Sequence, residues 1–393
     1  MDQSGPRPVD MSSLLEGLHR VCQHALAPHA EAVDRDARFP AESFAALRSG
    51  AWLSALVPTE LGGMALSVAQ VGRICEVLGR YCASTAMIYA MHQIQVACLV
   101  HHALDAPFFR DYLRELVDRQ LLLASATTEA GMGGDIRSSI CALQRDATSF
   151  TLEKEAPVIS YGESADAILV TCRRASDAPR SDQVLVLVRR SDCVLTKVSE
   201  WDTLGFRGTC SPGFRLTAQG SADQVLPCPY ARIHSQTMHP VAHLLWSSLW
   251  LGLATDALDR ARTAVRAEAR RSPGVTPISA TRLAEAEQVR FSMRTSIEDT
   301  AAEYQRMLDR ADATAFEGFG FAIRINNLKL SCSQQVVDIV SRAMLIGGIA
   351  SYRNDSQTSL GRHLRDAYGA ALMVNNDRIL GHNATMQIVQ RET

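Results

Sequence analysis

The sequence Thr127-Thr128-Glu129-Ala130-Gly131-Met132-Gly133-Gly134-Asp135 sets two hydroxyl side chains in front of three glycines. Glycine lets a ligand approach the backbone closely, and hydroxyls together with bare backbone N–H groups can bind the polar edge of a ring or a phosphate. An ordinary glycine-rich turn between strands has the same composition. This segment alone therefore leaves a binding site and a structural turn both open.

Short segments rich in Val, Ile, Leu and Thr surround this stretch, and turn residues separate them. Segments at this spacing predict strands of a small antiparallel barrel or sandwich. The predicted strands are residues 139–145, 149–153, 166–172, 183–190, 193–198 and 213–218. We place this central β domain at residues 121–230.

Helical periodicity dominates both ends of the chain. Apolar residues recur at three- and four-residue spacing from Leu14 to Leu26, which is typical of an amphipathic helix, and we place an N-terminal helical domain at residues 1–120. After residue 230 the same spacing predicts four long helices, the last over 360–388. These form a C-terminal bundle at residues 231–393. The predicted fold class is therefore α+β.

Composition places the chain among globular proteins. Its 393 residues are 47% hydrophobic and 21% charged with a formal net charge of -2, which excludes a disordered or collagenous protein and gives no electrostatic reason to expect nucleic acid. No apolar run approaches the ~18 residues of a membrane span, so we expect no membrane partner. Ten scattered cysteines without a CxxC pair predict reduced thiols, a cytoplasmic location and no metal site.

Five further motifs follow one another in a fixed order. They are Val57-Pro58-Thr59-Glu60-Leu61-Gly62-Gly63, Val158-Ile159-Ser160-Tyr161-Gly162, Leu204-Gly205-Phe206-Arg207-Gly208-Thr209, Gly347-Gly348 and Leu364-Arg365-Asp366-Ala367. With the 127–135 segment and the helix–strand–helix order, they resemble the acyl-CoA dehydrogenase superfamily over residues 12–390. The resemblance implies an N-terminal helical domain, a small antiparallel β-barrel and a C-terminal four-helix bundle.

The same resemblance implies a flavin-dependent enzyme that binds FAD, with FMN as the alternative. The flavin ring would lie between the β domain and the bundle, with Ser160 near its N5 atom and Val158 where a tryptophan often covers it. Gly134 replaces the family's serine. The implied cofactor contacts are Thr127, Thr128, Gly133, Gly134, Val158, Ser160, Arg270, Gly347 and Gly348. Arg270 would hold the pyrophosphate, although a solvated arginine at a helix end explains it equally well.

The catalytic base departs from the family pattern. Acyl-CoA dehydrogenases remove an α proton from an acyl thioester, carried by CoA or an acyl carrier protein, and need a positioned carboxylate to do so. The family places a glutamate nine residues after the arginine of its Arg-Asp-Ala motif, which is Val374 here. Some members use a second position, which is Ala242 here. Neither side chain accepts a proton.

Three other residues are candidates for the base. Asp377 lies three residues beyond Val374, which returns to nearly the same helix face. His243 stands where the family often has an arginine, and His92 lies on the helix that usually lines the acyl cavity. Histidine titrates in the useful range. Each also has an ordinary interpretation, Asp377 as a surface carboxylate and the histidines as satisfied core groups.

Three functions stay open. The first is α,β-dehydrogenation of an acyl thioester with a substituted base, and electron-transfer flavoprotein as the acceptor. The second is a two-component flavin-dependent monooxygenase, supplied with reduced flavin by a flavin reductase. The third is a non-catalytic partner subunit. The resemblance also implies a homo-oligomer, either a dimer or a tetramer.

Overall fold

Helices form the N-terminal part of the chain. In the computed structural model the described residues are 10–132, 135–271, 273–310, 315–316 and 318–389. The first helices are α1 (Met11–Val21), α2 (Ala30–Arg35), α3 (Ala41–Ser49), α4 (Val68–Tyr81), α5 (Ala83–His102) and α6 (Pro107–Arg119). Ser67 and Gln70 form a reciprocal capping box at the start of α4, which satisfies two N–H groups there. The predicted N-terminal helical region is confirmed.

Helix α5 is the central helix of this region. It is long and apolar enough to cross a membrane by length and composition, but 89% of that window is buried inside the protein. The sequence expectation that no apolar run approaches a span overlooked it, because His92, Gln93 and Gln95 interrupt the apolar residues. Burial on all sides explains why α5 lacks a polar face.

Seven strands follow: β1 (Leu123–Ala126), β2 (Gln144–Arg145), β3 (Ser149–Ala156), β4 (Ala167–Arg173), β5 (Gln183–Arg189), β6 (Cys193–Lys197) and β7 (Phe214–Ser221). They form a three-stranded sheet in the order β1-β4-β5 and a four-stranded sheet in the order β2-β3-β7-β6. The second sheet is antiparallel throughout, and its β3 strand alternates exposed and buried residues.

Two details of the β region differ from expectation. Strand β1 pairs in parallel with β4, with Leu123 opposite Ala167, so the region is not wholly antiparallel. The predicted strand over 139–145 shortens to Gln144–Arg145. The backbone N–H groups of Ile140 and Cys141 donate to the Glu129 carboxylate instead of to a neighbouring strand.

The C-terminal part is helical again. It contains α7 (Tyr230–Ile233), a π-helical turn (His234–Met238), α8 (His239–Arg271), α9 (Ile278–Asp309), α10 (Phe319–Gly347), α11 (Ile349–Tyr352), α12 (Gly361–Leu372) and α13 (Asn376–Val389). The long helices α8, α9 and α10 pack against one another, and α12 and α13 pack on α10. Gly252 of α8 allows a close approach to α4, because a Cβ atom there would lie 2.0 Å from the Glu76 carbonyl oxygen.

The last predicted helix is broken in two. Residues 373–375 separate α12 from α13, and Val374 has a left-handed φ of 44°. The buried Lys329 ammonium donates to the Val374 carbonyl oxygen (3.3 Å) and to Asn376 Oδ1 (2.6 Å). These bonds take the place of the helical hydrogen bonds that the break removes, so the sequence periodicity over 360–388 could not reveal it.

Candidate active site

A cavity of about 980 Å³ lies where the β region meets the two helical regions. One wall comes from the β region and the loop 201–211. The facing wall comes from α5, the residues 234–246 at the start of α8, and the start of α10. Helices α12 and α13 supply the remaining side. We call the first the β wall and the second the helical wall.

The β wall holds four of the predicted cofactor contacts. Thr127, Thr128, Val158 and Ser160 all line the cavity. Thr128 Oγ1 donates to the Val158 carbonyl oxygen at 3.2 Å, which ties the two segments together. Gly133 and Gly134 lie outside the described residues. The structure therefore brings together the described residues of the two motifs, while their role toward a cofactor stays a prediction.

Ser160 belongs to a short chain of hydroxyl groups. Ser211 Oγ donates to Ser160 Oγ at 2.9 Å, and Thr209 Oγ1 lies 2.8 Å from Ser211 Oγ. Thr209 Oγ1 also lies 2.8 Å from the Phe206 carbonyl oxygen, so its single hydrogen can go either to that oxygen or to Ser211 Oγ, and the latter completes a chain from Thr209 through Ser211 to Ser160. Because Ser160 accepts from Ser211, it can direct its own hydroxyl hydrogen toward a bound group.

A buried ion pair holds the β wall from behind. Lys154 Nζ lies 3.8 Å from Glu129 Oε2 and donates to the carbonyl oxygen (2.7 Å) and Oγ1 (2.9 Å) of Thr171. Thr171 Oγ1 donates to the carbonyl oxygens of Ala126 and Thr127, each at 3.3 Å. Glu129 is thus a structural residue, and the pair fixes the backbone on which Thr127 stands.

Three histidines, His234, His239 and His243, contribute polar groups to the helical wall. The rings of His234 and His239 stack at 5.4 Å, and those of His239 and His243 meet edge to face at 4.5 Å. Burial lowers the pKa of His234 to about 3 and of His239 to about 4, and burial together with the neighbouring His239 lowers the pKa of His243 well below its usual value. All three are therefore neutral near pH 7.

His243 is the one predicted base that the structure brings to the cavity. Its Nδ1 lies 3.2 Å from the Ile325 carbonyl oxygen, so Nδ1 carries the hydrogen and Nε2 keeps its lone pair. His239 Nε2 donates to Asn326 Oδ1 at 2.8 Å. These bonds fix the orientation of both rings in the cavity wall.

His92 is a structural residue rather than a base. It is fully buried, its Nε2 donates to the Leu53 carbonyl oxygen at 2.7 Å, and its Nδ1 accepts from the Leu123 N–H at 3.0 Å. Both ring nitrogens are therefore occupied by backbone, and burial lowers its pKa to about 4. The prediction of a catalytic His92 is corrected: the ring joins the N-terminal helices to β1.

Asp377 also lies away from the site. Its side chain is exposed, it does not line the cavity, and its backbone N–H donates to Asn375 Oδ1 at 2.8 Å. The break between α12 and α13 upsets the helical spacing from which its position was predicted. By contrast, both family base positions, Ala242 and Val374, do line the cavity.

The remaining predicted contacts are not brought to the cavity of this chain. Arg270 is exposed near the end of α8. Gly347 and Gly348 end α10, where Gly348 has a positive φ of 61° that favours glycine. Their local role is therefore to end a helix.

Comparison with known proteins identifies the N-terminal domain and the fold. Residues 10–120 match the acyl-CoA dehydrogenase N-terminal domain. FMN-bound TdsC of Paenibacillus sp. A11-2, a dibenzothiophene monooxygenase, has a TM-score of 0.84 at 18% identity, and the match covers 97% of this chain and 98% of that one. The N-terminal region is therefore an acyl-CoA dehydrogenase N-terminal domain, and the described chain has the acyl-CoA dehydrogenase fold, since butyryl-CoA dehydrogenase of Megasphaera elsdenii superposes with a TM-score of 0.82 at 18% identity.

The curated relatives of this chain differ in activity. Cyclohex-1-ene-1-carbonyl-CoA dehydrogenase of Geobacter metallireducens is 28% identical over 158 residues, 40% of this chain and 41% of that protein. The amino sugar nitrososynthase DnmZ of Streptomyces peucetius is 23% identical over 350 residues, 86% of this chain and 84% of that protein. For the first three relatives that it matches, the aligned part of the chain spans 38–48% of the relative's length. The reaction must therefore be argued from the site.

Sequence reasoning missed several residues of the acyl-CoA dehydrogenase-like cavity. These are His234, His239, Trp246, Gln95 and Trp201. The spacing of five and four residues from His234 to His243 was the available signal. It was obscured because the first step crosses a π-helical turn, which adds one residue to the usual helical period.

Proposed function

We propose that the protein is a flavin-dependent monooxygenase that receives reduced flavin from a separate flavin reductase and uses molecular oxygen. The observation that carries this proposal is the apolar character of both family base positions, Ala242 and Val374. They lie in a cavity that is also lined by Thr127, Thr128 and Ser160, whose hydroxyls the family resemblance places toward a flavin. Within the described lining the one carboxylate is Asp135, which lies 3.7 Å from the Arg137 guanidinium.

The residues present fit the ring system of a flavin. The β wall offers hydroxyls of Ser125, Thr127, Thr128 and Ser160 on one side of the cavity, and Trp201 and Val158 add flat apolar surface beside them. About 980 Å³ accommodates a tricyclic ring together with a second small molecule. Since these residues would contact the ring that FMN and FAD share, either cofactor is compatible with the proposal.

When bound, reduced flavin would supply the activation of oxygen and its transfer to the substrate. Thr127, Thr128 and Ser160 would orient the ring through its polar edge, and Ser160 would hold a proton at its Oγ, backed by Ser211. Met87, Met91 and Phe321 would exclude water from the reacting atoms. The neutral histidines would donate or accept hydrogen bonds without placing a charge in the cavity.

Dehydrogenation of an acyl thioester is the second candidate, because dehydrogenases of this kind match about half of the chain. It requires a base that removes an α proton. His243 is the only one of the three candidate bases that lines the cavity, and its lowered pKa makes it a weak base. Under this alternative, electron-transfer flavoprotein would be the acceptor.

Isotopic oxygen distinguishes the two reactions. Purified protein is supplied with NADH, a flavin reductase, FMN or FAD and ¹⁸O₂, with indole and 2-naphthol as candidate substrates, and products are examined by mass spectrometry. In a parallel anaerobic titration, butyryl-CoA is added to protein carrying oxidised flavin. We expect ¹⁸O in a product and no bleaching of the flavin by butyryl-CoA. Bleaching without oxygen would instead establish the dehydrogenase and overturn the proposal.

We also propose a homo-oligomer. Leu345, Ile349, Tyr352 and Leu372 are large apolar side chains on α10–α12, and each is 70–75% exposed. Burial of such side chains against a second copy is favourable. Light scattering after gel filtration should give a mass of two or four chains, and a monomer would contradict the proposal.

A further inference from the structure

We call the part of the cavity that the helical wall lines the subsite. Its lining comes from α5, the residues 234–246 and the start of α10, whereas the hydroxyls of Ser125, Thr127, Thr128 and Ser160 belong to the β wall. Its surface is mainly apolar and comes from Met87, Met91, Ile94, Met238 and Phe321. A ligand here would be held largely by burial of apolar surface.

Two polar atoms interrupt that apolar surface. Gln95 is 3% exposed and Trp246 is 9% exposed, and both line the cavity. Within the described part of the chain, Gln95 Oε1 and Trp246 Nε1 have no hydrogen-bond partner. A buried polar atom without a partner costs roughly 1–3 kcal/mol, so native proteins rarely keep one unless something else binds it. One atom is an acceptor and the other a donor.

The subsite carries no formal charge. The charged side chains that line the cavity, among the described residues, are Asp135, Arg137, Arg365 and Arg378, and these come from the β region, α12 and α13. The three histidines of the helical wall are neutral near pH 7 because they are buried. An ionised ligand group placed here would lie buried without a counter-charge, which is strongly unfavourable.

We propose that this subsite binds an uncharged small molecule that carries both a hydrogen-bond donor and an acceptor, such as a hydroxyl, on a compact apolar skeleton. The donor of the ligand bonds to Gln95 Oε1, and its acceptor receives the Trp246 Nε1 hydrogen. This deepens the proposed function, on which it rests, since the molecule bound here is the one that receives oxygen. It makes Gln95 and Trp246 the residues that determine specificity.

Three matched probes test the subsite. 2-Naphthol carries a donor and an acceptor, naphthalene carries neither, and 2-naphthoate is charged. Equilibrium dialysis at pH 7 measures the affinity of each for the flavin-loaded and the flavin-free full-length protein. We expect 2-naphthol to bind at least about tenfold more tightly than naphthalene, which is the difference expected from satisfying two buried polar atoms. We expect 2-naphthoate to bind more weakly than 2-naphthol.

Two variants locate the effect. Gln95→Leu and Trp246→Phe should each reduce the 2-naphthol to naphthalene preference to about threefold or less, with little change in naphthalene affinity. Gln357→Leu, at an exposed glutamine, is the matched control. Thermal unfolding tests whether each variant is folded. If the Gln95→Leu variant does not fold, Gln95→Met takes its place.

The proposed subsite would be contradicted if the preference for 2-naphthol over naphthalene persisted in both variants. It would also be contradicted if 2-naphthoate bound as tightly as 2-naphthol. Binding requires neither oxygen nor reduction. The predicted preference without ¹⁸O incorporation therefore counts against the monooxygenase reaction alone. Conversely, ¹⁸O incorporation that Gln95→Leu and Trp246→Phe leave unchanged counts against the subsite alone.

Discussion

The two walls of the cavity are built in different ways. The β wall presents hydroxyls from short strand ends, and a buried ion pair and a chain of hydrogen bonds hold those segments from behind. The helical wall presents histidine, tryptophan and glutamine from helices that pack through apolar side chains. Hydrogen bonds therefore fix the backbone of the β wall, whereas apolar packing positions the side chains of the helical wall. Under the proposed function, the flavin would contact the β wall and the substrate would contact the helical wall.

The largest expected effect concerns the support of the β wall. Lys154→Met leaves the Glu129 carboxylate buried without its counter-charge, so the free energy of unfolding should fall by about 3–5 kcal/mol. Urea denaturation measures it. Lys197→Met is the control, because Lys197 pairs with an exposed Glu200 and contributes little. Adding Glu129→Gln to Lys154→Met should restore part of the loss. A loss as small as that of the control would show that the pair does not support the wall.

The next effect concerns the contact between α12 and the loop 201–211 of the β wall. Asp366 accepts the Phe206 N–H at 2.6 Å, and burial raises the pKa of this carboxyl to about 6. Since the raised pKa favours the protonated form in the folded state, its stabilisation is complete below about pH 4 and is lost as the pH rises through 6. The loss is about 3 kcal/mol.

Asp366→Asn should therefore flatten the dependence of unfolding free energy on pH between 4 and 7. Urea denaturation across that range measures the slope, and Asp202→Asn, at a highly exposed carboxylate, should leave it unchanged. An identical slope in the wild type and Asp366→Asn would remove Asp366 as the cause.

A smaller effect tests the cofactor side directly. Ser160→Ala removes the hydroxyl that faces the cavity, so FMN should bind about tenfold more weakly, in keeping with the loss of one buried hydrogen bond. Quenching of flavin fluorescence measures the affinity. Ser191→Ala, at an exposed serine outside the cavity, should have no effect. Equal affinity in all three proteins would place the flavin elsewhere.

The smallest effect concerns the break between α12 and α13. A β-branched residue at a φ of 44° is strained, so Val374→Gly should raise the free energy of unfolding by about 1 kcal/mol. Met373→Gly, at an ordinary φ of -63°, should lower it by a similar amount. Thermal unfolding of the two variants compares them. Destabilisation by both would mean that the left-handed backbone carries no strain.

Much of the fold could be predicted from local patterns. The helix periods, the strand segments and the ordered motifs indicate the three-part architecture, and Thr127, Thr128 and Ser160 lie in one cavity as those motifs predict. Features that depend on distant partners were not predictable. The parallel pairing of β1 with β4 joins residues more than forty positions apart, and the unfilled hydrogen bonds of Gln95 and Trp246 appear only once the helices pack.

Candidate bases show the same limit at single residues. Asp377 was predicted by counting along an ideal helix, and His92 was predicted from the helix that the family resemblance places at the acyl cavity. The break between α12 and α13 places Asp377 away from the cavity. Both ring nitrogens of His92 form hydrogen bonds with backbone groups, those of Leu53 and Leu123. His243 alone reaches the cavity, because it lies in the uninterrupted helix α8.

The break at Val374 also limits how the chain could be re-engineered. A glutamate introduced there would project from a left-handed backbone position, which Lys329 holds through the adjacent carbonyl group, rather than from a regular helical turn. Proton abstraction from this position would therefore require a continuous helix through the segment as well as the new carboxylate. Ala242 lies in the continuous helix α8 and lines the cavity, so it is the better of the two positions for a new carboxylate.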